Sequence, residues 1–131
     1  MIITNDILDE LNEKAKASPR LRMNLDLRDS DSDGSQRMLN AIERGSLLPI
    51  HRHQKSSEIM VCLKGKLRVE YFDELERICT DSFIIEPNGT NVAVSIPIGQ
   101  WHTVHALESG TCILEMKNGG YEPISDVDIL K

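Results

Sequence analysis

The stretch GSLLPIHRHQKSSEIMVCLKG, residues 45–65, decides how this chain is read. His51 and His53 stand two positions apart, and on an extended strand that spacing turns both imidazoles to one face. Glu58 follows after four intervening residues, a gap long enough for a turn, so a carboxylate on the next strand can face the same point. Gly65 then ends the run as a hairpin signal. A second stretch, IPIGQWH at residues 96–102, carries Pro97, Gly99 and His102, a tight turn that delivers a third imidazole from a distant strand.

Three neutral imidazoles and one carboxylate suit a borderline divalent ion, Fe, Mn, Ni, Co or Zn. With an octahedral preference, four protein ligands leave two positions for water, substrate or O₂. Such a site differs from a closed structural zinc site, which uses all its positions on the protein. A lone His-x-His pair on a strand is most often surface decoration. Here it arrives with Glu58, Gly65 and Pro97-x-Gly99-x-x-His102, and the combination points to one ion shared by several strands.

The surrounding pattern is mainly β. Residues 3–17 predict a helix, with Ile3, Ile7, Leu8, Leu11 and Ala15 at helical spacing and Asp6, Asp9 and Glu10 near its positive end. Ser18-Pro19 stops it. Leu21, Met23, Leu25 and Leu27 alternate with Arg22, Asn24, Asp26 and Arg28, a period of two that predicts a strand. Gln36–Ile42 fits a strand or a short helix equally well. From Gly45 on, short runs of Ile, Val, Leu and Tyr are punctuated by turn signals at Lys64-Gly65, Asp73-Glu74, Asn88-Gly89, Ile98-Gly99, Ser109-Gly110 and Gly119-Gly120. That rhythm favours a sandwich or barrel over a parallel sheet with crossover helices.

The chain has 131 residues, the size of one domain, and 40% of them are hydrophobic. The expected layout is an N-terminal helix and strand segment, 1–44, packed on a barrel formed by 45–131. A net charge of −6 and a pI near 5.2 argue against nucleic acid, whose phosphates are bound by clustered cations. No apolar run approaches the roughly 20 residues that span a bilayer, and the start resembles no signal peptide. Three cysteines without CxxC spacing, Cys62, Cys79 and Cys112, read as buried thiols of a reducing compartment. A cytoplasmic protein is the expectation.

Gly45, His51, His53, Glu58 and Gly65 match the first cupin motif, G-x5-H-x-H-x4-E-x6-G, at each fixed position. Pro97, Gly99 and His102 match the centre of the second, G-x5-P-x-G-x2-H-x3-N, but Asn91 replaces its leading glycine and Ala106 its final asparagine. The chain thus resembles the cupins, which implies a double-stranded β-helix, or jelly-roll, barrel. More narrowly, KAKASPRLRMNLDL (14–27), residues 36–74 and IPIGQWHTVHALESGT (96–111) resemble the WbuC family of cupin-fold metalloproteins. That likeness covers roughly residues 5–115 and implies a surface-polysaccharide, O-antigen setting. Small cupins resemble one another in pairing through edge strands or N-terminal segments, which implies a homodimer.

Other residues are weighed on the same physical grounds. His105, three beyond His102, points to the opposite strand face and is read as a non-ligand. Met60 and Cys62 share the parity of Glu58 and are read as lining the interior. Gln100 and Trp101 flank a ligand, and an aromatic face can pack on a sugar. Arg20, Arg22 and Asn24 form a second substrate-binding candidate, since two arginines at i and i+2 can clamp a phosphate or carboxylate. Arg37 is a weaker one. Asp29, Asp31, Asp33 and Gly34 begin like a calcium loop but lack its closing glutamate, Asn40 standing there, so the segment reads as a solvated acidic loop. Asn88-Gly89-Thr90 reads as a turn.

The expected function is a divalent-metal cupin that takes a small carbohydrate-related or acidic molecule. It would serve as an isomerase, hydrolase or Fe-dependent dioxygenase, or as a non-catalytic sensor. No second acid or base is evident from spacing alone.

Overall fold

A computed structural model describes all residues, 1–131. The helix α1 spans Asn5–Ala17. Thr4 caps it, its hydroxyl accepting a 3.3 Å hydrogen bond from the Ile7 amide, and Lys14 and Lys16 sit at its negative end. Thr4→Ala is expected to cost about 1 kcal/mol, measured by urea unfolding; no loss would mean the cap contributes nothing.

Eight strands follow: β1 Arg22–Asp26, β2 Ser35–Ile42, β3 Glu58–Lys64, β4 Leu67–Phe72, β5 Cys79–Ile85, β6 Ala93–Ile96, β7 Trp101–Ala106 and β8 Thr111–Asn118. They form a five-stranded sheet in the order β1-β2-β8-β3-β6 and a three-stranded sheet in the order β5-β4-β7. Every strand pair is antiparallel. The two sheets face each other as a jelly-roll barrel. Their shared interior holds Ile42, Met60, Cys62, Leu67, Val69, Ile85, Ile96, Val104 and Ile113.

A second core lies outside the barrel wall. Leu8, Leu11 and Ala15 of α1 pack on Leu39, Ala41 and Cys112 of β2 and β8. This explains why Gln36–Ile42 carried no clear period. β2 is buried on both faces, one by the barrel and one by α1, and a strand buried on both faces loses its alternation. The expected boundary at residue 44 falls just after β2. Yet β1 and β2 are strands of the five-stranded sheet itself, so the N-terminal segment extends the barrel wall.

Cys62 and Cys112 are buried as expected, and burial pushes each thiol up to about 11. Cys79 departs from expectation: it is exposed, because β5 is an edge strand with one open face. The acidic loop is held by arginines. Arg28 binds Asp26 at 2.8 Å, and Arg37 reaches Asp29 and Asp33 at 3.3 and 3.0 Å. Asn88 does adopt a turn, with a left-handed φ of 62°.

After β8 the Gly119-Gly120 signal does not join two strands. It leads into a segment that folds back across the histidine loop. The Leu130 amide donates to Ile50 O at 2.8 Å, the Arg52 amide donates to Asp128 O at 3.1 Å, and Ile129 bridges His51.

Candidate metal centre

His51 and His53 do not lie on a long strand. His51 forms an isolated antiparallel bridge with His102, and residues 52–57 are irregular. The bridge is reciprocal: the His51 amide donates to His102 O at 3.0 Å and the His102 amide donates to His51 O at 2.8 Å. Beside it, the Gly99 amide donates to His53 O at 2.8 Å. Gly99 has φ +79°, a conformation that favours glycine. The two motif segments are therefore stitched together by backbone, and Glu58 enters from the start of β3. Asn91 has no left-handed φ, so a glycine is not required there; its side chain donates to Ile84 O at 3.2 Å instead.

The side chains converge. One ring nitrogen from each of His51, His53 and His102 lies within 4.8 Å of the other two. His51 Nδ1 sits 2.9 Å from Pro49 O, and His102 Nδ1 sits 2.8 Å from Gln100 O. A carbonyl only accepts, so both rings keep their proton on Nδ1 and aim the Nε2 lone pair into the cluster. Glu58 Oε2 is 3.1 Å from His53 Nε2, and Glu58 Oε1 is 3.9 Å from His102 Nε2.

Three atoms in this cluster are buried without a well-aligned hydrogen bond: His53 Nε2, His102 Nε2 and Glu58 Oε1. An orphaned buried polar atom costs about 1–3 kcal/mol. Here the orphans point at one another's neighbourhood, which fits a shared cation. Protonation agrees. Burial, and then the neighbouring His102, lower His51 to about 4. Burial likewise lowers His102. Burial opposes charge on Glu58, but contact with His53 and the fields of the imidazoles hold it below the usual carboxylate range. Neutral His51 and His102 beside an ionised Glu58 are in the protonation state a divalent ion needs.

Two residues of this site were not singled out from sequence. In β8, Glu115 is in register with Met60 and Lys117 with Glu58. Ile113 belongs to the barrel interior, so Glu115 and Lys117, at the same parity, face inward as well. That parity was readable: charged residues that continue the inward face of an apolar strand are an anomaly. Lys117 Nζ lies 3.5 Å from His53 Nδ1. Burial, and then the charge of Glu58, push Glu115 up to about 8.

A pH dependence follows for the metal-free protein. Between 4.5 and 8 the folded chain keeps a proton on Glu115 that the unfolded chain has lost, so Glu115 lowers stability as pH rises. His51 acts oppositely between 4 and 6.5, where only the unfolded chain takes up the proton. Above 6.5 Glu115 acts without that opposition. Stability is expected to fall from pH 6.5 to 8 by at most about 2 kcal/mol, and Glu115→Gln to remove the fall. Urea unfolding after chelation tests this; wild-type stability that rises over the interval would refute it.

The remaining candidates lie as follows. Met60 is core. Gln100 Nε2 donates to Trp101 O at 2.9 Å, and buried Trp101 lies under the Arg52 guanidinium, 4.5 Å from the ring centroid. Arg22 pairs with Ile42, and Ile42 with Thr111, which places it six β8 residues from Lys117, about 20 Å along the strand. Its guanidinium donates to Leu47 O at 3.0 Å. Arg20 and Asn24 are exposed. The structure does not gather Arg20, Arg22 or Asn24 around the imidazoles. His105 points away, its Nε2 2.6 Å from Glu70 Oε1.

A family model, "Domain of unknown function (DUF6016)", matches residues 3–84. The chain belongs to that family. No curated protein matches the sequence. Among solved structures, this DUF6016 member is similar to KdgF from a Halomonas species, with 15% identity, a TM-score of 0.62, and 79% of this chain and 84% of that one covered. It is similar to an oxalate oxidase in complex with the substrate analogue glycolate, at 18% identity and a TM-score of 0.66, covering 86% of this chain and 58% of that chain. It is also similar to the capsular polysaccharide assembling protein CapF of Staphylococcus aureus, at 18% identity and a TM-score of 0.61, covering 81% of this chain and 30% of that chain. The chain thus spans little more than half of the oxalate oxidase. A cupin-2 domain from Rhodospirillum rubrum is also similar, at 17% identity and a TM-score of 0.59, and what these neighbours share with this chain is the cupin-type jelly-roll fold. No helix is long and apolar enough to cross a membrane.

Proposed function

We propose that this protein is a divalent-metal cupin in which His51, His53, Glu58 and His102 hold one ion and leave positions open for a small carbohydrate-related or acidic molecule. The observation that carries the reading is the set of unpaired buried atoms on His53, His102 and Glu58. A cleft of about 340 Å³ lined by His53, Arg52, Lys55 and Lys117 opens beside them, which suits exchange of an exogenous ligand better than a closed structural site. When bound, the ion would polarise a ligand oxygen or activate water. This chain's residues would hold the imidazoles neutral and fix their tautomers.

The WbuC-like segments support a surface-polysaccharide setting, as does the fold shared with the capsular assembling protein CapF. The glycolate complex of oxalate oxidase supports an oxygen-rich acidic ligand. Two buried free thiols fit a reducing, cytoplasmic compartment. The same reading includes a homodimer, for which light scattering should return about twice 14.8 kDa.

The test is metal analysis of protein purified without added metal, followed by turnover assays with Fe²⁺ and O₂ on sugar nucleotides and uronic acids. Turnover lost in His53→Ala supports an enzyme. Ligand-induced thermal shifts without turnover across the panel would make it a sensor, and absence of metal would end the proposal.

A further inference from the structure

The cleft beside the imidazoles is polar, with one hydrophobic residue among its 13 lining residues. Three of them are cations. Arg52 is bonded to Asp128 at 3.0 Å, and Lys55 is bonded to Glu122 at 3.1 Å. Lys117 has no acid partner; its ammonium makes a single polar contact, at 3.5 Å, to His53 Nδ1.

That contact cannot survive coordination by His53. An ammonium has three donors and no acceptor. A neutral imidazole that gives its Nε2 lone pair to a cation keeps its proton on Nδ1. Lys117 would then face a donor, so its charge must find another acceptor in the cleft. The charge count points the same way. Glu58 cancels one charge of a divalent ion, the imidazoles add none, and Lys117 adds another positive charge. Of the acids that line the cleft, Asp128 is held by Arg52 and Glu122 by Lys55, so neither is free to balance this positive charge.

Resting on the metal reading above, we infer that Lys117 is the anion-binding residue of this cleft, and that the ligand is a small carboxylate which also offers an oxygen to the metal. The carboxylate replaces His53 Nδ1 as the partner of the ammonium, in a polar cleft where a charge-assisted hydrogen bond is strong. An apolar ligand finds no matching surface there, and a neutral sugar leaves Lys117 unpaired.

The experiment uses Co²⁺-loaded protein and its visible absorption, titrated with glycolate, D-glucuronate and D-glucose. Both carboxylates are expected to bind and shift the spectrum, with glucose inert. Lys117→Gln should weaken both carboxylates by about tenfold or more, Lys117→Arg should retain them, and Co²⁺ affinity should not fall in either variant. Carboxylates that bind Lys117→Gln as tightly as wild type, or that fail to bind Co²⁺-loaded wild type, would overturn the assignment while leaving the metal reading intact. Failure of wild type to take up Co²⁺ would overturn the metal reading itself, and this one with it.

Discussion

His102→Ala is expected to lower divalent-metal affinity by more than about 100-fold, because loss of even an outer partner of a ligand costs about 10–100-fold. His102 is fully buried, its Nδ1 fixed by Gln100 O and its Nε2 unpaired. No neighbouring side chain can replace it, since the adjacent histidine, His105, is engaged with Glu70. In thermal unfolding with Co²⁺ at 100 times its Kd, wild type should gain about 2.7 kcal/mol, and the variant almost nothing. Without metal the variant should itself be less stable than wild type, because it loses the bond to Gln100 O and leaves a cavity at a buried site. The comparison is therefore of the metal-induced gain within each protein. Equal metal-induced shifts in the two proteins would remove His102 from the ligand set.

Gly65→Ala should be the most damaging small change in the fold. Gly65 has φ +81°, and a Cβ built there would lie 2.6 Å from the Thr111 Cα. Backbone cannot yield as a flexible side chain can. Thr111 is also fixed, its hydroxyl 2.7 Å from Glu108 O and 3.2 Å from the Lys66 amide. Overpacking costs about 1–3 kcal/mol and a left-handed non-glycine residue about 1–2, giving about 2–5 kcal/mol together. Gly99→Ala is the control. Its φ is +79° but nothing lies within 4 Å of the added carbon, so only the backbone part, about 1–2 kcal/mol, should appear. Equal urea midpoints for the two variants would show that the Thr111 contact does not matter.

These glycines show what the sequence could convey. Motif spacing encoded local requirements, the turns at Gly65 and Gly99 and the parity of Glu58, and these were legible without coordinates. The ladder between β2 and β8 was not, because pairing Ile42 with Thr111 depends on competition among strands far apart in the chain. Glu115 and Lys117 were hidden for the same reason. Their inward direction follows from parity with Ile113, but their approach to Glu58 and His53 follows from register alone. Cys79 misled because Ile78 and Thr80 beside it suit a strand, while the polar Asp81 and Ser82 that follow belong to a strand left open at the sheet edge.

The segment that crosses the histidine loop has a further consequence in the order of synthesis. Ile50, His51 and Arg52 are tied to Leu130, Ile129 and Asp128, and Glu58 lies on a strand whose neighbour is β8. At about 5–20 residues per second, roughly 4–14 s of translation separate Glu58 from Ile129. Throughout that interval the loop that carries His51 and His53 lacks its backbone partners from residues 128–130. On the metal reading, an ion held by His51, His53, Glu58 and His102 would be selected only after that segment has joined the fold.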